Sequence, residues 1–225
     1  MNIKRKIAAL AMALFLIPTS LYGCRSEAKI AENLETVKSG VEKARALESG
    51  EIMVYSTFKT EKEVDEKLRS SVTESYTKFI NGDELEYDFT ETEKFASSGD
   101  VVSFEANCEG GKTVVTRDGV VVDESEAPDI FGAFVIDYAV ADVASVESIA
   151  ATDQTLYTFT MNSSYASKFD STEDGVEYKC KSVKFNYYID TTGLVRTLVS
   201  EFTYDTTVDG STQTVVSFCQ TAINS

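Results

Sequence analysis

VEYKCKSVKFNYYIDTTGLV, residues 176–195, is the stretch whose alternation decides the fold. Val176, Tyr178 and Cys180 fall on one face of an extended strand, with Glu177 and Lys179 on the other. The apolar set then changes phase to Val183, Phe185, Tyr187 and Ile189. A period of two that jumps by one residue predicts a β-bulge near Lys181-Ser182, which bends a long strand as a barrel or half-barrel requires. Asp190, Thr191, Thr192 and Gly193 supply turn chemistry, and Leu194, Leu198, Phe202 and Tyr204 carry the pattern into a second long strand.

The same period runs through most of the chain. Tyr157, Phe159 and Met161 share one strand face, and Val216 and Phe218 lie on the last strand. Strands are predicted at 101–108, 112–117 and 120–124, with Gly110-Gly111 and Asp118-Gly119 as their turns. Leu85, Tyr87 and Phe89 alternate with Glu84, Glu86 and Asp88. Those three carboxylates project one way with no converging partner, so they read as a solvated sheet face rather than an acid/base pair. Ile52, Val54 and Phe58 begin an earlier strand. Thr60 with Glu63 forms a capping-box pattern, read as a short helix or loop to about Leu68, followed by a strand up to the Asn81-Gly82 hairpin signal.

Two segments carry a helical period instead. Ile30, Leu34, Val37, Val41, Ala44 and Leu47 predict one amphipathic helix over 30–48, stopped by Gly50 and packed on the protein's own sheet or on a coiled-coil partner. After Pro128, residues Ile130, Phe131, Phe134, Val135, Tyr138, Ala141 and Val143 predict a second, mostly apolar helix, serving as core or as a lid. The expected fold is α+β: a curved antiparallel half-barrel on one long N-terminal helix, plus a short helical insertion, with 30–225 as a single domain.

The N-terminus says where such a domain resides. Lys4, Arg5 and Lys6 precede the apolar run Ile7–Ile17, which is too short for the about 20 residues a spanning helix needs. Leu21, Tyr22, Gly23 and Cys24 follow, and this ending resembles the lipobox of bacterial lipoproteins. The resemblance implies a signal peptide at 1–23, a diacylglyceryl group and a palmitate-type acyl chain on Cys24, and a short tether at 24–29. It places the protein on the cell membrane or outer envelope, on the extracytoplasmic side. Two acyl chains anchor stably where one does not.

Composition narrows the function classes. The net charge is −16, and −19 without the three basic residues of segment 1–23, which argues against nucleic-acid partners. There is no histidine, which removes the usual general base, the Ser-His and Cys-His pairs and the commonest zinc ligand. An enzyme is not expected, and no cofactor is. Cys108, Cys180 and Cys219 remain besides Cys24. The hairpin registers put Cys180 opposite about Tyr204 and Cys219 opposite about Val199, too far apart for a disulfide. Either one bridge involves Cys108, or all three are buried thiols. Asp170, Thr172, Asp174, Gly175 and Asp205, Thr207, Asp209, Gly210 mimic the first half of a calcium loop. Lys181 and Val216 stand where the bidentate carboxylate belongs, so no metal is expected.

The order of lipobox, long helix, antiparallel strands, apolar insertion and long strands resembles the LolA/LolB/LppX superfamily of lipoprotein and lipid carriers. The phrase from Tyr187 to Val195 is similar to the strand–turn–strand phrase of those proteins, with a spacer one residue shorter. The resemblance implies an unclosed barrel that carries acyl chains in an apolar cavity, with no catalytic residues. Here that cavity would be lined by Phe131, Phe134, Tyr138, Tyr157, Phe159, Phe185 and Phe202. The ligand would be a lipid or an acylated protein. The alternative is a non-enzymatic interaction or envelope-structural module with a solid core.

Overall fold

The computed structural model describes residues 26–60, 68–173, 175–208 and 210–225. Cys24, the segment before it, Glu63, Asp174 and Asp209 lie outside these residues, and with them the stretches read as signal peptide, lipobox and capping box. Helix α1 (Glu27–Arg45) opens the described chain. The Ser26 hydroxyl accepts from the Lys29 amide, and Glu27 at the start with Lys43 and Arg45 at the end complements the helix dipole. Ile30, Leu34, Val37, Val41 and Ala44 are buried along one side, as the 3.6-residue period requires.

Twelve strands follow among the described residues: β1 (Ser49–Thr60), β2 (Ser71–Asn81), β3 (Leu85–Phe95), β4 (Val101–Glu109), β5 (Lys112–Arg117), β6 (Val120–Val121), β7 (Val143–Ala150), β8 (Gln154–Met161), β9 (Ser171–Glu173), β10 (Val176–Asp190), β11 (Val195–Val208) and β12 (Ser211–Asn224). They form one sheet in the order β6-β5-β4-β3-β2-β1-β12-β11-β10-β8-β7, with β9 attached to β10. Every described pairing is antiparallel. The last strand docks on the first, which puts the first and last strands side by side in the middle of the sheet. β6 and β7 are its two edges and do not pair with each other, so the curved sheet stays open as a half-barrel.

The bulge falls where the phase change put it. Pairing passes from Cys180 opposite Tyr204 to Ser182 opposite Thr203, leaving Lys181 as the extra residue. The Asp170 carboxylate accepts from the Cys180 amide at 2.8 Å, so the interrupted ladder keeps a partner. At the far end of β10 the Asp190 carboxylate accepts from the Thr192 and Leu194 amides, the Thr192 hydroxyl and the Arg196 guanidinium. Desolvation works against this carboxyl's charge, yet those hydrogen bonds prevail and hold it well below the usual carboxylate range.

Three expectations are corrected. No helix spans 130–143. The 3- and 4-residue spacing of Phe131, Phe134 and Tyr138 imitates a helix. The chain instead turns at Asp129, whose carboxylate takes the Phe131 amide and whose carbonyl takes the Gly132 amide. Val143 already starts β7, opposite Met161. The short α-helix lies elsewhere, at α2 (Ser163–Ala166), capped by Asn162. Gly50 does not stop α1, which ends at Arg45. Gly50 belongs to β1, where a Cβ would collide with the Asn224 carbonyl of β12. The third strand of the 101–124 group ends at Val121, after which Glu124–Glu126 form a single 3-10 turn.

α1 packs across β7, β10 and β11, which defines the concave face of the sheet. Tyr87 and Phe89 point to that side, whereas Glu86 and Asp88 alternate onto the convex face, where Asp88 accepts from the Asn107 amide at 2.6 Å. Among the described residues, no helix is long and apolar enough to cross a membrane.

Candidate ligand groove on the concave face

One half of the concave face is aromatic and filled. Tyr138 stacks on Phe185 at 5.3 Å between ring centroids and meets Phe159 at 5.9 Å. Phe159 lies edge-on to Tyr187 at 5.9 Å, and Phe185 edge-on to Phe202 at 6.1 Å. Phe131 packs on Phe79 of β2 at 5.1 Å. Phe134 and Phe159 are both at 0% exposure, and Tyr157 is half-buried against the same cluster. All seven residues expected to line a cavity are therefore on one side of the sheet. They pack mainly on one another.

Three of these contacts come from a strap. Residues 122–142 join β6 to β7 and so run from one sheet edge to the other across the open side. Its middle has no regular structure, and side chains hold it down. Arg45, at the end of α1, donates to the Phe131 and Phe134 carbonyls at 3.2 Å each. Tyr138 donates to the Tyr187 hydroxyl at 3.2 Å, and Tyr165 of α2 to the Asp137 carboxylate at 2.7 Å. Burial pushes the Tyr138, Tyr187 and Tyr165 hydroxyls well above the ordinary tyrosine range, so all three stay protonated.

The other half of the concave face holds a lane of small side chains. Residues directly opposite in an antiparallel pair share a face. Across β2, β1, β12 and β11 one such row reads Thr73, Ser56, Cys219 and Ser200, all half-buried. The row ends on Phe185 of β10 at one side and on Glu93 of β3 at the other. Val54 and Leu198 stand in the row above it, Phe58 and Phe202 in the row below. Ser75 and Thr221 share the upper row and Ser71 and Ser217 the lower one, so large side chains flank the lane only at intervals as it crosses the strands. The main core under α1 and the strap closes one side of it. A second cluster of Leu68, Val176, Val208 and Val215 lies on the other.

The groove's chemistry follows from these residues. Burial raises the Cys219 thiol, so it rests as a weakly polar thiol in the floor. Cys108, Cys180 and Cys219 are all free; Cys219 faces Ser200 and Ser56, and Cys108 donates to the Leu85 carbonyl at 3.4 Å. The first carboxylate of each calcium-like loop is otherwise engaged: Asp205 pairs with Lys181 at 3.3 Å, and Asp170 serves the bulge. Among the described residues, no group of three potential metal ligands converges. A separate cleft of about 280 Å³ opens beside Lys78, Phe79, Glu86, Tyr87, Asp88 and Asn107, across β2, β3 and β4.

Sequence reasoning missed the floor. Thr73, Ser56, Cys219 and Ser200 are small residues with no motif, far apart in the chain, and only the strand register aligns them. The strap's latch, Arg45, was equally silent, being one cation at the end of a helix.

No family description matches this chain, and no curated protein matches it. Among solved structures, it is similar to a DUF1329 family protein from Desulfovibrio piger, with 10% identity over 86% of this chain and 90% of that one. The TM-score is 0.27, at which the likeness supports no conclusion about function.

Proposed function

We propose that this chain is a lipid-anchored protein of the cell envelope that holds a hydrophobic ligand, a lipid or the acyl chain of another protein, along its concave face. The observation that carries the reading is the half-exposed lane from Thr73 to Ser200, flanked at intervals by Val54, Leu198, Phe58 and Phe202. A globular interior is ordinarily packed to crystal density, and a lane of small residues beside an aromatic cluster leaves apolar walls without partner atoms. The strap gives the site a movable side, because side-chain latches rather than a strand ladder hold its middle. Cys24 in its lipobox-like setting supports the anchor, and the tether leaves the domain close to the bilayer. The finer reading is a carrier of the LolA/LolB/LppX kind, binding without catalysis.

The packing of the aromatic half favours a second reading, a solid interaction or envelope-structural module. Native mass spectrometry of the domain lacking residues 1–24 separates them. The carrier reading expects a host lipid retained on the protein. A lipid-free protein, unchanged in mass after incubation with lipid, favours the module. The anchor is tested separately by palmitate incorporation, expected in the full chain and absent from Cys24→Ser. Incorporation that persists in that variant contradicts it.

A further inference from the structure

The two edges of the sheet are finished differently. β6 is two residues long and gives way to the Asp123-capped turn at Glu124–Glu126, so it offers little backbone to a partner. β7 runs for eight residues, and among the described residues only β8 pairs with it. The Ala151 amide donates to the Gln154 carbonyl across the β7–β8 turn. Hydrogen-bonded and non-hydrogen-bonded pairs alternate along an antiparallel ladder, so Glu147 and Ile149 direct their backbone groups at β8. Ser148 and Ala150 direct theirs outward, and both residues are exposed. Natural edges are commonly blunted by Lys, by Pro, by a bulge or by a charge pointed inward. The bulge of β7 falls at Ala144, and Ser145 to Ala150 carry no Lys and no Pro. Outward amides and carbonyls in a row are complementary to another extended backbone.

Side chains restrict which backbone fits. On the convex face Tyr188 stands opposite Leu156 and Leu156 opposite Ile149, so an apolar row reaches the edge and stops at Ile149, 41% exposed. A strand added beyond β7 would set a side chain about 5 Å from Ile149. Glu147 is exposed on the same face. Residues 139–161 contain Asp142, Glu147 and Asp153 and no lysine or arginine. Lys168 is paired with Asp142, and Lys184 lies two strands in, opposite Glu201 of β11. A second copy would bring the same acids and a net charge of −16, so charge favours a partner strand that is basic.

We propose that the outer edge of β7 docks an extended, basic segment of a partner protein, which adds to the sheet as a further antiparallel strand along residues 147–150. An apolar residue of that segment sits beside Ile149 and a lysine or arginine beside Glu147. Main-chain hydrogen bonds to Ser148 and Ala150 supply the affinity, and the two side chains select the sequence. The site lies on the sheet's rim and convex face and does not depend on the concave groove.

Hydrogen exchange on the full chain, read at single residues, tests this with three hexapeptide probes. They are Thr-Val-Thr-Lys-Val-Thr, the same sequence with Glu in place of Lys, and the Lys peptide N-methylated at alternate residues so that it cannot pair. The Lys peptide is expected to slow exchange of the Ser148 and Ala150 amides about tenfold, the Glu peptide no more than about threefold and the N-methylated peptide not at all. Val121 at the other edge should be unaffected. Glu147→Lys leaves the backbone alone and is expected to reverse the ranking of the Lys and Glu peptides. Ser148→Pro removes one outward amide and none of the β8 ladder, and is expected to abolish protection at Ala150 with the circular dichroism unchanged. Protection by the N-methylated peptide, or by none of the three, overturns the docking edge. Equal protection by the Lys and Glu peptides, or a ranking that Glu147→Lys leaves in place, overturns the basic partner. Protection that rises with protein concentration in the absence of peptide overturns it in favour of a second copy.

Discussion

The two halves of the concave face share the same long antiparallel strands and differ in what stands on them. From β7 to β10 the inward positions hold Val146, Phe159, Phe185 and Tyr187, and α1, α2 and the strap cover them until Phe159 is at 0% exposure. From β11 to β2 the same rows continue as Ser200, Cys219, Ser56 and Thr73, and none of these is fully covered. Side-chain volume therefore divides one surface into a region that holds the fold together and a region that leaves room for something else. Stability should reside in the first, and tolerance to substitution with sensitivity to ligand in the second.

Phe159→Ala attacks the filled half where no rearrangement of solvent can compensate, and should cost about 3–5 kcal/mol in a denaturant melt. A loss below about 1 kcal/mol would mean that the aromatic cluster is loosely packed, erasing the contrast. Arg45→Ala removes a charged donor from two strap carbonyls and should cost about 2 kcal/mol. Hydrogen exchange should quicken in residues 129–138 first, with β11 amides unchanged; a uniform acceleration would show that the strap is part of the global unit.

The Asp190 turn sits outside both halves and supplies a pH test. Its carboxyl is held below the ordinary range in the folded state, so its contribution is present above the unfolded carboxylate pKa and is lost as pH falls toward the folded value. Asp190→Asn should cost about 1–2 kcal/mol at neutral pH, and the gap to the unaltered protein should close on acidification. A gap independent of pH would remove charge from the explanation. The smallest effect belongs to the groove: Ser56→Ala should change stability by no more than about 0.5 kcal/mol. Ser56→Leu should leave the fold in place and block the lane. If it instead lost several kcal/mol, the floor would be as tightly packed as the aromatic half.

The fold was legible wherever a local period decided it. The phase change at Cys180 and Val183 located the bulge, and the stripe from Ile30 to Ala44 located α1. The strap was misread because Phe131, Phe134 and Tyr138 have helical spacing, while the local bonds of Asp129 favour a turn and Val143 is drawn into the sheet by Met161. β7 was missed for the same reason. The aromatic members of the site were visible one by one, since large apolar residues on strands usually face inward. The groove was invisible because small side chains carry no pattern. Only the pairing of four distant strands brings Thr73, Ser56, Cys219 and Ser200 into line.

A crystal structure of the protein purified from its host membrane tests the central claim most directly, through the contents of the lane between Thr73 and Phe185. The account predicts continuous density for one extended alkyl chain over Ser56, Cys219 and Ser200. A lane closed by inward movement of Phe58, Phe202 and Leu198 onto the floor, with no room for a chain, would contradict it.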